Sequence, residues 1–254
     1  MEPTNQGNPY AAPASEFNAA PQPVGGAASL ENAVAGRYDF EIGDVMSEAW
    51  KLTKGFKGSF WAAGIVIFLM MIVAQTVGGF LFKSSGTVPK MIFNGLIGAL
   101  LTPLTVGIQM MCIRRALGQP YSFSTAFEYL PKAGALIVVG LLTVLATYLG
   151  FILLVIPGIY LSIGYMLAKP LVAAESLTPR KAMEISRKAT HHRWFGVFGL
   201  FFVVGILTAI SALGLFIPLI WTVPWAVMTS AVLYKRMFHT APAAAQASAP
   251  PSAA

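Results

Sequence analysis

The chain has 254 residues, 56% of them hydrophobic and only 11% charged. Soluble domains carry about 25% charged residues, so an ordinary water-soluble fold is excluded and a polytopic membrane protein is indicated. A net charge of +7 would suit a nucleic-acid binder only if the cations formed one face of a soluble domain, and here they lie between apolar runs.

Residues 1–39 are rich in Pro, Ala, Asn and Gly and poor in large aliphatics. They are expected to form a disordered cytoplasmic tail, because such a composition cannot bury enough apolar surface to offset the entropy of ordering. The tail lacks the basic start and apolar core of a secretory signal, so the first apolar run is expected to act as an uncleaved anchor. Its segment "NPYAAP", Asn8 to Pro13, is either a short partner-binding stretch or plain linker.

Residues 40–239 are expected to form an all-α membrane domain of six transmembrane helices. A spanning helix needs about 20 apolar residues, each rising about 1.5 Å across a core about 30 Å thick. Phe60 to Phe82 and Met91 to Ile113 meet that test singly. Ala135 to Ala174 and Trp194 to Tyr234 are double length, and the predicted breaks fall at Ile156-Pro157-Gly158 and near Pro218, where proline removes an amide donor and glycine permits a turn. The single cysteine, Cys112, lies inside an apolar run, where packing is its expected role. Residues 240–254 are expected to be a second disordered tail.

Charge sets the expected orientation. With the amino terminus inside, thirteen lysines and arginines fall in inner segments, and only Lys83 and Lys90 fall outside. That bias predicts a bacterial inner-membrane protein with both termini in the cytoplasm.

Each outward helix is preceded by an amphipathic segment. The first places Val45, Ala49, Leu52 and Phe56 on one helical face, following the 3.6-residue period. The second, "YSFSTAFEYLPK", is cut short by Pro131, with Thr125 and Glu128 in capping-box register. The third starts with Thr178 as N-cap and Pro179 at the first helical position, and turns Ala182, Ile185 and Ala189 to one side. All three are expected to lie on the inner interface, apolar face down. Their candidate contacts to anionic headgroups, or to partner proteins, are Lys51, Lys132, Arg180, Lys181, Arg187, Lys188 and Arg193. The register Val45/Lys51, Ala126/Lys132 and Ala182/Lys188 recurs, and Pro103 and Pro224 each lie eleven residues before a cation. Three repeats are therefore expected, each an interfacial helix plus a transmembrane hairpin.

The run from Ile156 to Leu200, with Ile156-Pro157-Gly158, Pro170-Leu171, Glu175, Pro179, Ala182, Ser186 and Trp194, resembles bacterial inner-membrane proteins related to the membrane domain of glycerophosphodiester phosphodiesterases. The resemblance implies a helical membrane module. It does not bring the activity, because no part of the chain could form the soluble catalytic barrel of the larger relatives.

The acids are scattered, and adjacent His191 and His192 diverge by about 100° on a helix, so neither a metal set nor a general acid–base pair is formed. No phosphate-binding glycine loop or nucleophile elbow is present. The expected function is accordingly non-enzymatic and cofactor-free: a scaffold or lipid-associated accessory factor, contacting anionic lipids, other membrane proteins or itself, and no nucleic acid. The alternative is a transporter of a small or lipid-like solute. Such a role would rest on Lys169, the sole charge inside a predicted span, with Pro170 and Glu175 beside it. Close helix approach is expected at Gly95/Gly98 and Gly196/Gly199.

Overall fold

The computed structural model describes residues 27–213 and 217–239. Both the "NPYAAP" segment and the carboxy-terminal tail lie outside them. Among the described residues the chain is all-helical: α1 (Ala27–Val34), α2 (Ile42–Thr53), α3 (Lys57–Leu81), α4 (Thr87–Leu100), α5 (Thr102–Ala116), two 3-10 turns (Phe123–Ala126 and Leu130–Lys132), α6 (Ala133–Leu153), α7 (Val155–Gly164), α8 (Ala168–Glu175), α9 (Pro179–His191), α10 (Trp194–Leu213) and α11 (Leu219–Phe238).

Four helical stretches, rather than six, are long and apolar enough to cross a bilayer: Lys57–Leu81, Phe123–Leu153, Val155–Glu175 and Trp194–Leu213. The pair α4 and α5, bent by 41°, makes a fifth if read as one span. Pro103 lies in the first turn of α5, just past the bend, and cannot supply the N–H that would continue α4 into α5. Helix α11 has 20 residues, but Thr222, Thr229 and Ser230 dilute it and Lys235 and Arg236 end it. It tolerates that composition because its second half is buried in protein.

The expected turn at Pro157 falls earlier. Leu154 is extended, and Pro157 sits in the first turn of α7, where a missing N–H leaves no helical bond unmade. Glycine is required here because α6 and α7 touch: a Cβ on Gly150 would lie 3.0 Å from the Gly158 Cα, and one on Gly158 would meet the Phe151 ring at 2.4 Å.

The amphipathic faces are as expected, but protein covers them rather than lipid. Val45, Ala49 and Phe56 are fully buried, as are Ala182 and Ala189. Helix α2 packs mainly on α11, the first 3-10 turn on α5, and α9 on α8 and α7. Burying one such large apolar side chain is worth about 1.5–3 kcal/mol, and an interior site of fixed shape adds close packing that a fluid acyl phase lacks. The second segment is 3-10 rather than α, and its capping differs from expectation: Ser122 N–H donates to Thr125 Oγ1 at 3.2 Å, while Glu128 pairs with Arg114.

Two contacts depart from six straight crossings. Lys57 Nζ, assigned inside, lies 5.0 Å from the centre of the Trp221 ring, next to the turn assigned outside. Tyr160, five residues into α7, has its hydroxyl 3.0 Å from His191 Nδ1 at the end of α9. Opposite faces of a bilayer are about 30 Å apart, so the start of α11 lies beside the start of α3 rather than on the opposite face, and the end of α9 reaches the level of the second turn of α7.

The boundary expected after residue 39 also moves. Helix α1 packs on α9 and α11, Ser29 Oγ donates to the Phe238 carbonyl at 2.5 Å, and buried Tyr38 donates to the Ala189 carbonyl at 2.6 Å. The folded body therefore begins by Ala27.

Candidate functional site

The ends of the three returning helices carry most of the paired charge. At the end of α11, Glu48 from α2 accepts from Lys235 Nζ at 2.8 Å and from Arg236 Nη2 at 2.6 Å. Burial pushes the Glu48 carboxyl up, but the hydrogen bonds from the two cations outweigh it and hold the group below its ordinary value. At the end of α5, Arg114 Nη2 lies 2.6 Å from Glu128 Oε2 and 3.4 Å from the Tyr129 hydroxyl. Its neighbour Arg115 donates to the Lys54 carbonyl and the Tyr121 hydroxyl at 2.6 and 2.7 Å, and also to the Leu52 carbonyl. Arg115 thereby clamps the α2–α3 junction, where Gly55 takes a φ of +77° that side chains disfavour.

The end of α8 differs. Lys132 Nζ donates to the Ala173 carbonyl and to Ser176 Oγ, both at 2.8 Å, and its charge also acts on the Glu175 carboxylate. Glu175 Oε1 is buried without a hydrogen-bond partner, and so is the hydroxyl of Tyr234. Tyr234 is fully buried and feels the charge of Glu175. Two unpartnered polar atoms at one helix junction carry a desolvation cost of about 1–3 kcal/mol each.

Of the sequence candidates, Lys132 and Glu175 are brought together. Lys51, Arg180, Lys181, Arg187, Lys188 and Arg193 are all exposed. Lys188 pairs with Glu184 at 2.6 Å, and Arg193 pairs with Asp39. Lys169 opens α8, half-buried beside buried Pro170. No hydrogen bond or ion pair joins it to Glu175 or to a neighbouring segment among the described residues. The sequence reading gives Glu128 only a capping role and does not single out Glu48, Arg114 or Tyr234 as site residues. Arg114 and Lys235 each follow a proline by eleven residues, but Glu48 and Glu128 follow Val45 and Ala126 by three and two, so the acids share no register.

A second polar place lies between α1, α7 and α9. It is a cleft of about 340 Å³ lined by Val34, Tyr160, Arg187, Lys188, His191 and His192. His192 Nε2 donates to the Val34 carbonyl at 2.8 Å, and its ring packs over Gly36, where a Cβ would be 2.7 Å from Cγ.

Comparison with protein-family models, with curated proteins and with solved structures finds no match to this chain.

Proposed function

We propose that the chain is a multi-pass protein of a bacterial inner membrane, with both termini in the cytoplasm, acting without a catalytic site as a scaffold or lipid-associated accessory factor. The division of its surface carries the reading. Side chains such as Phe68, Val73, Phe80, Ile92 and Ile152 are exposed along α3, α4 and α6, over a length that suits hydrocarbon, while the buried core gathers where the amphipathic helices meet α5, α8 and α11. An apolar surface that extensive is untenable in water. The resemblance of Ile156 to Leu200 to a membrane module without its catalytic barrel points the same way.

The amphipathic segments and their hairpins form three repeats closed in a ring. Each amphipathic segment packs on the returning helix of the repeat before it, the second on α5, the third on α8, and the first, α2, on α11 of the last. Single cysteines in a Cys112→Ser background test the arrangement. An impermeant maleimide added to intact cells should label Ser84→Cys but neither Lys181→Cys nor Ile217→Cys, which the Lys57–Trp221 contact keeps on the inner side. Labelling at 181 would overturn the orientation. A labelled 217 beside a labelled 84 would mean that the third hairpin crosses completely and that the Lys57–Trp221 contact is broken in the membrane. Chemical crosslinking in native membranes should recover a stable complex or a defined lipid complement.

A carrier for a small or lipid-like solute is the rival reading, favoured by the unpartnered Glu175 Oε1 and Tyr234 hydroxyl. Substrate-dependent flux in liposomes that is lost with Lys169→Ala or Glu175→Gln would establish it in place of the scaffold.

A further inference from the structure

The cleft between α1, α7 and α9 has two chemically distinct ends. At one end stand Arg187 and Lys188, with the imidazoles of His191 and His192. Lys188 shares its charge with Glu184, whereas no ion pair joins Arg187 to any described residue. The cleft thus keeps a net positive charge, and its two imidazoles are held in place, His191 by the Tyr160 hydroxyl and His192 by the Val34 carbonyl. That donor set suits a phosphate, whose oxygens accept several charge-assisted hydrogen bonds at once.

At the other end Tyr160, part of the cleft lining, heads an aromatic column that runs on outside the cleft. Tyr160 stacks on Trp194 with ring centres 5.9 Å apart, Trp194 on Phe198 at 5.2 Å, and Phe198 on Phe202 at 5.6 Å. The last three rings fall at i, i+4 and i+8 of α10, so they line one face of an apolar helix. The column begins at the cationic cleft and ends at exposed Phe202, with exposed Phe195 beside it. Trp194 Nε1 is buried with no hydrogen-bond partner.

We propose that this cleft binds the phosphate head of an anionic phospholipid, with one acyl chain lying along Trp194, Phe198 and Phe202. The proposal rests on the membrane reading above and adds a defined site to it. A phosphate alone would satisfy the cations but leave the column unused, whereas a phospholipid matches both ends.

Purified full-length protein in neutral detergent, titrated with phospholipids brominated on the acyl chain, tests it by tryptophan quenching. The Trp194 signal is taken as the difference between wild type and Trp194→Phe. Brominated phosphatidylglycerol should quench Trp194 at lower concentration than brominated phosphatidylcholine, and Arg187→Ala/Lys188→Ala should weaken that quenching by about tenfold or more. Both residues are exposed, so the fold should survive, and His191→Gln serves as a second variant with a smaller effect in the same direction. Equal quenching by the two lipids, or an unchanged titration in the double variant, overturns the proposal. Inorganic phosphate that displaces the lipid at comparable concentration would assign the cleft to a free anion and overturn the lipid as its occupant. Exposed Trp50 and Trp221 separate this failure from a broader one. If brominated phosphatidylcholine quenches neither of them in reconstituted vesicles, the membrane reading itself falls.

Discussion

The ends of α5 and α11 and the end of α8 are built on opposite charge plans. The first two terminate in cations and each receives an acid from a surface segment, Glu128 on Arg114 and Glu48 on Lys235 and Arg236. Cations there also complement the negative end of the helix dipole. Helix α8 terminates instead in Glu175, an acid at the unfavourable end of the dipole, with one carboxylate oxygen unpartnered. Two junctions are closed as stability would close them, and the third is not. Buried, incompletely satisfied ionisable groups mark functional junctions more often than structural ones.

The largest effect should come from the seat of the second segment on α5. A Cβ on Gly107 would lie 1.9 Å from the Ala126 carbonyl oxygen, and backbone cannot swing aside as a side chain does. Gly107→Ala should therefore cost about 3 kcal/mol, seen as a lowered unfolding midpoint in detergent and as aggregation on size exclusion. Gly98→Ala, which meets nothing within 4 Å, should leave the midpoint unchanged or raise it through helix propensity. An equal response at both positions would mean that the α5 seat is not tightly built.

Next in size is the junction at α11. Glu48→Gln should cost about 2 kcal/mol, since it strips two charge-assisted hydrogen bonds from a mostly buried site. Glu128→Gln should cost about 0.5 kcal/mol, because that carboxylate is 40% exposed and solvent screens the pair. The titrations should differ as well. The Glu48 carboxyl is held below its ordinary 4.5, so its contribution is complete above that value and is lost as pH falls through the lowered one. His239 behaves otherwise: burial pushes its imidazole down from 6.5 to about 4. The unfolded chain takes up that proton first, so stability should already decline as pH falls from 6.5 towards 4, and His239→Gln should abolish that earlier slope. Melts across pH separate the two windows.

How much of this was legible in the sequence follows from range. Periodicity identifies which face of α2 and α9 is apolar, and Val45, Ala49, Ala182 and Ala189 are indeed buried. It is silent on what covers that face, because lipid and protein select the same residues. The helix start at Thr178 and Pro179 is local and legible, although the Thr178 side chain makes no capping hydrogen bond, and the 3-10 form of the second segment is not, because Pro131 shortens it without naming the alternative. Helix α1 was lost in a composition that averages to a tail. Glu48 and Lys235 are 187 residues apart, and no local pattern joins them. The cleft at His191 needed α9 to run beside α7, a tertiary fact with no local signature.

The smallest expected effect, with the opposite sign, is at α8. Glu175→Gln keeps the side-chain volume and removes a charge that has no hydrogen bond to lose at Oε1. Lys132 keeps its bonds to the Ala173 carbonyl and Ser176 Oγ, so no cation is stranded by the change. Removal of a buried charge that is only partly compensated is neutral or stabilising, and the midpoint should stay within about 1 kcal/mol of wild type or rise. A loss as large as that of Glu48→Gln would show that Glu175 is a structural partner like the other acids, and the contrast among the three helix ends would vanish. A stable variant that loses lipid complement or partner recovery would instead tie the unsatisfied carboxylate to the work of the protein rather than to its fold.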